Sequence, residues 1–325
     1  MSTRPPAQIL APLSRVDRVA GRSLREGERR RRAGEARRPG KAAADAWRML
    51  VARLTEAHHV TFKRIDWAEI EEAGPMAPSV ARDAVSAIAR KKLQDYRPSL
   101  ADTLFGREQE RRRELTAKVI ESAKADAELY ARAKAEADAH NRKLALAAEV
   151  RALNPDAIAG VLKASGVEKA LKESIEAFSL RAEGRRLIAQ IDLIEFDAFP
   201  DEECKAGPSG FTWSELAASD RSQLQLTNAC SVALRAAVEV LQVAPAEAVD
   251  VVARVCRPGG VADADFDPVL YVKVPTLALA KANLKKMEAP SVVAALGARL
   301  DWTAARGLAP IELDDLGLAP RRAAA

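Results

Sequence analysis

The sequence predicts an α+β protein: a helical N-terminal half built on one long charged helix, then an antiparallel or mixed sheet with helices packed on it. Three observations predict it. Residues 107–153 contain neither proline nor glycine, strand-like runs begin only after residue 174, and the large apolar side chains concentrate in residues 175–302, which marks that stretch as the core. A length of 325 residues accommodates about two domains at roughly 100–200 residues each. The apolar fraction of 48% overstates the core, because 67 of those residues are alanine.

Charge divides the chain. The formal net charge is +5, yet residues 1–43 hold eleven arginines and one lysine against Asp17, Glu26, Glu28 and Glu35, a local balance of +8 that leaves the rest at −3. The tail carries four glycines and few large apolar groups beyond Ile9, Leu10, Leu13, Val16, Val19 and Leu24. Its burial cannot offset the ordering entropy, so residues 1–43 are expected to be a disordered basic tail. Arg29, Arg30, Arg31, Arg32, Arg37 and Arg38 are its candidate anion or nucleic-acid contacts, through counterion release and without sequence specificity. No aromatic is interleaved with them to stack on bases. No apolar run of ~7–15 residues follows the charges as in a secretory signal, and none approaches the ~18 residues of a membrane span. The expected location is cytoplasmic.

Residues 44–106 read as short helices. Trp47, Leu50, Val51, Leu54 and His58 recur at helical spacing. Asp66-Trp67-Ala68-Glu69 offers a capping box, Gly74-Pro75 closes that element, and Ser79 is expected to cap a helix to about Asp95 with Ile88 on its inner side. Ser99 to Asp102 repeats the cap. The long charged helix, residues 107–153, is about 70 Å at 1.5 Å per residue. Between Arg107 and Lys143 it carries ten positive and eight negative residues, with acids preceding bases by four, as in Glu108 with Arg112 and Glu128 with Arg132. The balanced signs make it a poor track for phosphates. A seven-residue rhythm runs along it: Ala123, Tyr130, Ala137 and Leu144 form one series, Val119, Asp126, Ala133, His140 and Ala147 the other. A coiled coil prefers larger branched residues there, so an Ala-rich helix packed closely on a neighbour is expected, with self-association through residues 107–153 as the alternative. Asn154-Pro155 stops it and starts another helix.

Residues 154–315 read as the α+β domain and 316–325 as a disordered tail. Ile175 to Leu180 and Leu187 to Phe199 are expected strands around a turn at Ala182-Glu183-Gly184-Arg185, with a bulge near Leu193 where the side-chain parity changes. Pro200 to Gly210 reads as a loop, and Thr212-Trp213-Ser214-Glu215 as a capping box opening a helix to about Val243. Strands at Val249–Val255 and Val269–Val274 and a helix after Pro275-Thr276 follow.

The nucleotide-binding glycine motifs are missing. Cys204, Cys230 and Cys256 fit neither a disulfide framework nor paired metal-ligand spacing, and Cys230 and Cys256 read as packing residues. His58 and His59 read as structural or solvated. Gly207-Pro208-Ser209-Gly210 is the wrong length for a nucleophile elbow. Asp263, Asp265 and Asp267 alternate like the start of a cation loop, but Pro268 and Val274 stand where a calcium loop needs glycine and glutamate. They read as solvated acids. A nuclease-like pattern ending at Lys273 fails at Tyr271, where an acid is required. No cofactor, metal or catalytic residue is assigned.

Cys230 to Arg235, Val249 to Cys256, Val269-Leu270-Tyr271-Val272, Leu284 and Pro290-Ser291, with Ile65-Asp66-Trp67 and Leu104-Phe105, together resemble a group of bacterial proteins with a charged central helix and no assigned activity. The resemblance spans residues 45–315, with Ala289 where an aspartate is expected. It implies a domain order and no catalytic residue. The expectation is a non-enzymatic interaction or scaffold protein with an unknown protein partner. Nucleic-acid association through the tail is the alternative, and an enzyme with an unrecognised C-terminal site the third reading.

Overall fold

The computed structural model describes residues 6–11, 17, 20, 23, 41–207, 210–257, 260, 265–316 and 318. Two units emerge, residues 1–65 with 149–325, and residues 66–148. β1 (Ala7–Leu10) and α1 (Lys41–Thr55) belong to the first. The second holds α2 (Trp67–Ala73), α3 (Ala84–Gln94), α4 (Leu100–Leu104) and α5 (Glu108–Arg151) as far as residue 148. The first unit then continues with α6 (Pro155–Ser165), α7 (Val167–Leu171), β2 (Ile175–Glu183), β3 (Arg186–Leu193), β4 (Glu202–Gly207), β5 (Gly210–Glu215), α8 (Ala218–Val243), β6 (Ala248–Cys256), β7 (Phe266–Pro275), α9 (Thr276–Lys281), α10 (Ala289–Ala295), β8 (Arg299–Thr303) and β9 (Gly307–Ala309). The α+β class is as the sequence predicts.

In the 66–148 unit the front segment runs antiparallel to α5. Asp66 caps α2, its Oδ1 accepting from the Ala68 and Glu69 amides. His140 then meets the Gly74 carbonyl at 2.9 Å, Asn141 bonds both the amide and the carbonyl of Met76, and the Arg82 guanidinium lies 4.9 Å from the Tyr130 ring. Asp126 accepts from the Val85 and Ser86 amides at 2.9 and 2.7 Å. The cap of α3 is therefore supplied by α5 and not by Ser79, and Ile88 is 59% exposed instead of inward-facing. Asp126, Tyr130, His140 and Asn141 occupy the same stripe of α5 as the buried Ala133 and Ala137. That stripe is used within the unit.

The other unit is built on a seven-stranded sheet in the order β1-β2-β3-β6-β7-β8-β9, antiparallel except for the central parallel pair β3/β6. A parallel pair needs a crossover, and here it contains the β4–β5 hairpin and α8. Asn154 caps α6 through its side chain, with Pro155 in the first turn. The preceding Leu153 takes a left-handed φ of 58° that turns the chain out of α5. The register does shift near Leu193, but the extra residue is Glu176 on β2, and the strand expected to run to Phe199 ends at Leu193. Three further readings change. β1 lies inside the segment read as a disordered tail: Ala7 and Ile9 are buried as it pairs with β2. Residues read as a loop and a capping box are instead the hairpin β4–β5, where alternation puts Trp213 against Trp47 at 6.4 Å. Leu318, in the other presumed tail, is buried.

Register assigns the two faces of the sheet. Asp192 pairs with Arg254, Gln190 with Val252 and Ile188 with Asp250, so all six share a face. Residues 311–316 and Leu318 cover it, as Leu313 and Leu318 pack on Ile188, Val252 and Tyr271. Leu187, Ala189, Ile191, Val249, Val251 and Ala253 point the other way, toward α8. The small residues Ala229, Ala233, Ala236 and Ala237, all fully buried, let that helix approach closely.

Candidate binding cleft

Both strands of the parallel pair end at the same edge of the sheet, and a cavity of about 350 Å³ opens there. Ligands in open sheets favour the carboxyl ends of strands whose connections diverge. That holds here, since β3 leaves toward the β4–β5 hairpin and β6 toward β7. Among the described residues the walls are Phe196, Val255, Cys256, Val269, Leu308 and Pro310, with the charged residues Glu195, Asp197, Arg257 and Asp267. Glu195 and Asp197 lie just beyond β3, flanking the short 3-10 turn Phe196–Ala198 that Arg221 secures by donating to the Phe196 and Phe199 carbonyls at 3.1 Å. Arg257, at the end of β6, grips Asp267 with two hydrogen bonds of 2.7 and 2.5 Å. The Asp267 charge is thus compensated within the lining itself.

Two ion pairs staple the strands that carry the cleft. Near its rim Arg254 donates to both oxygens of Asp192 at 2.8 and 3.0 Å, and its guanidinium lies 5.1 Å from the Phe266 ring. Both partners are buried, at 4% and 5% exposure. At the opposite end of the pair, Arg186 donates to Asp250 at 2.6 Å and to the Leu316 carbonyl at 2.9 Å, while the Tyr271 hydroxyl donates to the other Asp250 oxygen at 2.6 Å. Burial and the Asp250 carboxylate push the Tyr271 phenol up to about 12. Tyr271, which breaks the nuclease-like pattern, is thus a buried donor to Asp250.

One serine and one histidine do meet. His58 Nε2 lies 2.8 Å from the Met287 carbonyl, which can only accept, so the proton is on Nε2 and Nδ1 accepts from the Ser231 hydroxyl at 2.9 Å. The His58 amide donates to the same hydroxyl oxygen at 3.2 Å. Ser231 is fully buried and His58 is 2% exposed. The pair is a clamp holding the turn after α1 to α8 and to the loop before α10, and no substrate reaches its hydroxyl. Burial, with a smaller contribution from neighbouring His59, lowers the His58 pKa. Burial likewise pushes the Cys230 thiol up to about 12, so its thiolate is not formed at neutral pH.

Among the described residues no group of three or more His, Cys, Asp or Glu side chains is placed to hold a metal ion, and no helix is long and apolar enough to cross a membrane. Asp267 is a cleft residue paired with Arg257, where the sequence suggested a solvated acid. Asp263, Ser209, Arg29, Arg30, Arg31, Arg32, Arg37 and Arg38 lie outside the described residues. Sequence reasoning missed Glu195, Asp197 and Arg257. The available signal was positional, as acids and an arginine directly follow two strong apolar strands, but it becomes a signal only once those strands are known to be parallel neighbours. The chain matches no protein-family model, no curated protein and no solved structure.

Proposed function

We propose that the protein is a non-enzymatic interaction protein in which the α+β unit is the binding module and the charged helix α5 a spacer. The observation that carries the reading is the cleft: apolar walls, an acidic rim, and a position where two stapled parallel strands end. Such a site takes a group with an apolar body and a positive charge, the acids orienting the charge while burial of the body supplies the affinity. α5 suits a spacer because its outward charges pair along its own surface, Arg112 with Glu108 and Lys134 with Asp138, while its apolar stripe is spent inside its unit.

Methyl NMR tests the reading, with hexylamine as probe and hexanoate as the oppositely charged control. A ligand of this size binding at about −4 kcal/mol has a Kd near 1 mM. Hexylamine is expected to shift the Val255, Val269 and Leu308 methyls, hexanoate to leave them unmoved, and Val269→Trp to abolish the response by filling the cavity. Equal binding of both probes, or hexylamine shifts that map elsewhere, refutes it.

A further inference from the structure

The 66–148 unit has fifteen basic and fifteen acidic residues and no net charge, yet the signs are segregated. The contact between Asp126 and the start of α3 divides the unit into two halves. Residues 87–125, comprising most of α3, α4 and the first part of α5, sum to +4; residues 66–86 with 126–148 sum to −4. The positive half also carries most of the exposed apolar side chains: Ile88 at 59%, Leu100 at 91%, Leu104 at 82%, Phe105 at 67% and Ile120 at 55%. Leu100, Leu104 and Phe105 stand exposed in a charged segment, with the Arg107 guanidinium 5.6 Å from the Phe105 ring.

We infer that this unit is a self-association surface, the positive apolar half of one copy lying against the negative half of a second copy in an antiparallel arrangement. The charge pattern selects the occupant. An isologous pair requires a surface that is its own complement, and a unit split into +4 and −4 halves meets that requirement when reversed, bringing both halves of each copy opposite the other sign. The positive half covers its exposed leucines and phenylalanine in the same step. The rhythm through Asp126 and Ala133 is not the interface, since Asp126 already holds the start of α3 and Ala133 is buried. This inference is independent of the cleft.

Sedimentation velocity on the full chain is the experiment, with circular dichroism to confirm folding of each variant. A mass of about 70 kDa, twice the 35.0 kDa chain, is expected at tens of micromolar, falling toward monomer as salt rises. Reversing exposed bases of the positive half (Lys91→Glu, Lys92→Glu, Arg97→Glu) is expected to weaken the dimer by roughly tenfold to hundredfold. Reversing acids of the other half (Glu69→Lys, Glu72→Lys, Glu128→Lys) should do the same. Combining both sets exchanges the signs of the two halves and should restore the dimer. Leu104→Asp with Phe105→Asp should give monomers. A wild-type chain that stays at 35 kDa overturns the inference, as does a dimer indifferent to either reversal or a combined variant that remains monomeric. Adsorption of a monomeric chain to phosphatidylserine vesicles, lost in the Leu104/Phe105 variant, would assign these side chains to a lipid surface and also overturn it.

Discussion

Replacing Arg254 by methionine strips one partner from the buried pair beside the cleft, and the expected cost follows from the geometry. Asp192 is 5% exposed and receives both hydrogen bonds of a bidentate guanidinium. Without it the Asp192 carboxylate loses both of these charge-assisted bonds in the sheet interior, and breaking such a pair costs about 3–5 kcal/mol. Methionine occupies the space over Phe266, so lost packing adds little to that figure. At ~2–4 °C per kcal/mol for a domain of this size, the melting transition of the α+β unit should fall by about 6–20 °C. Guanidinium unfolding followed by the fluorescence of Trp47, Trp213 and Trp302 supplies the free energy. The decisive comparison is the double variant Asp192→Leu with Arg254→Met. Because desolvating two charges consumes most of their mutual attraction, this variant should return to within about 1 kcal/mol of the native protein or exceed it. A single Arg254→Met variant that loses less than about 1 kcal/mol refutes the reasoning, as does a double variant no better than the single one.

Tyr271→Phe should cost about 1.5–3 kcal/mol, the range for a hydrogen bond to a charged group. The difference in alkaline absorbance between native and variant protein should place the Tyr271 phenol at about 12, and a normal phenol titration would contradict the buried bond to Asp250. His58 has a lowered pKa in the folded state, so the unfolded chain binds the extra proton first. Its contribution is fully present above about pH 6.5 and is lost as pH falls below it, at no more than about 1.4 kcal/mol per pH unit. His59 and Glu56 face the same turn, and His58→Asn should flatten the dependence measured by urea titration, whereas an unchanged slope would exclude His58 as its source. Hydrogen bonds from Ser86 and Val85 hold the Asp126 carboxyl below its usual range, so its support of α3 should persist to acid pH and be lost as pH falls through that lowered value. Asp126→Ala should cost about 0.5–2 kcal/mol, as for a lost helix cap, and raise the exchange rates of the Val85 and Ser86 amides; unchanged rates would remove the cap.

Local chemistry made much of the fold legible. The absence of proline and glycine between residues 107 and 153 located α5 to within two residues at its C-terminal end, and Asp66 and Asn154 cap the helices their neighbours announce. What failed was information carried by distant partners. β1 is four residues in a glycine-rich basic segment, and it becomes a strand because β2 offers an edge on which Ala7 and Ile9 can be buried. Thr212 to Glu215 fits a capping box in isolation, yet pairing with β4 and the Trp47 ring outweigh that preference. The cleft was illegible for the same reason. Nothing local reveals that β3 and β6 are parallel and adjacent, the one fact that brings Glu195 and Arg257 to a common cavity.

Asp126 and His140 show how a residue that damages one pattern can define another. In a coiled-coil seam each would be a buried polar group at a position that prefers branched apolar side chains. Here Asp126 satisfies two amides at the start of α3 and His140 meets a carbonyl at the end of α2. The interruptions in the rhythm are therefore the points at which α5 holds its own front helices. Alanines at 133 and 137 leave room for that close approach, where leucines would hold the front segment beyond hydrogen-bonding reach. What is left on the outward surface of this helix is charge, paired in part along the helix itself, as Arg112 with Glu108 and Lys134 with Asp138.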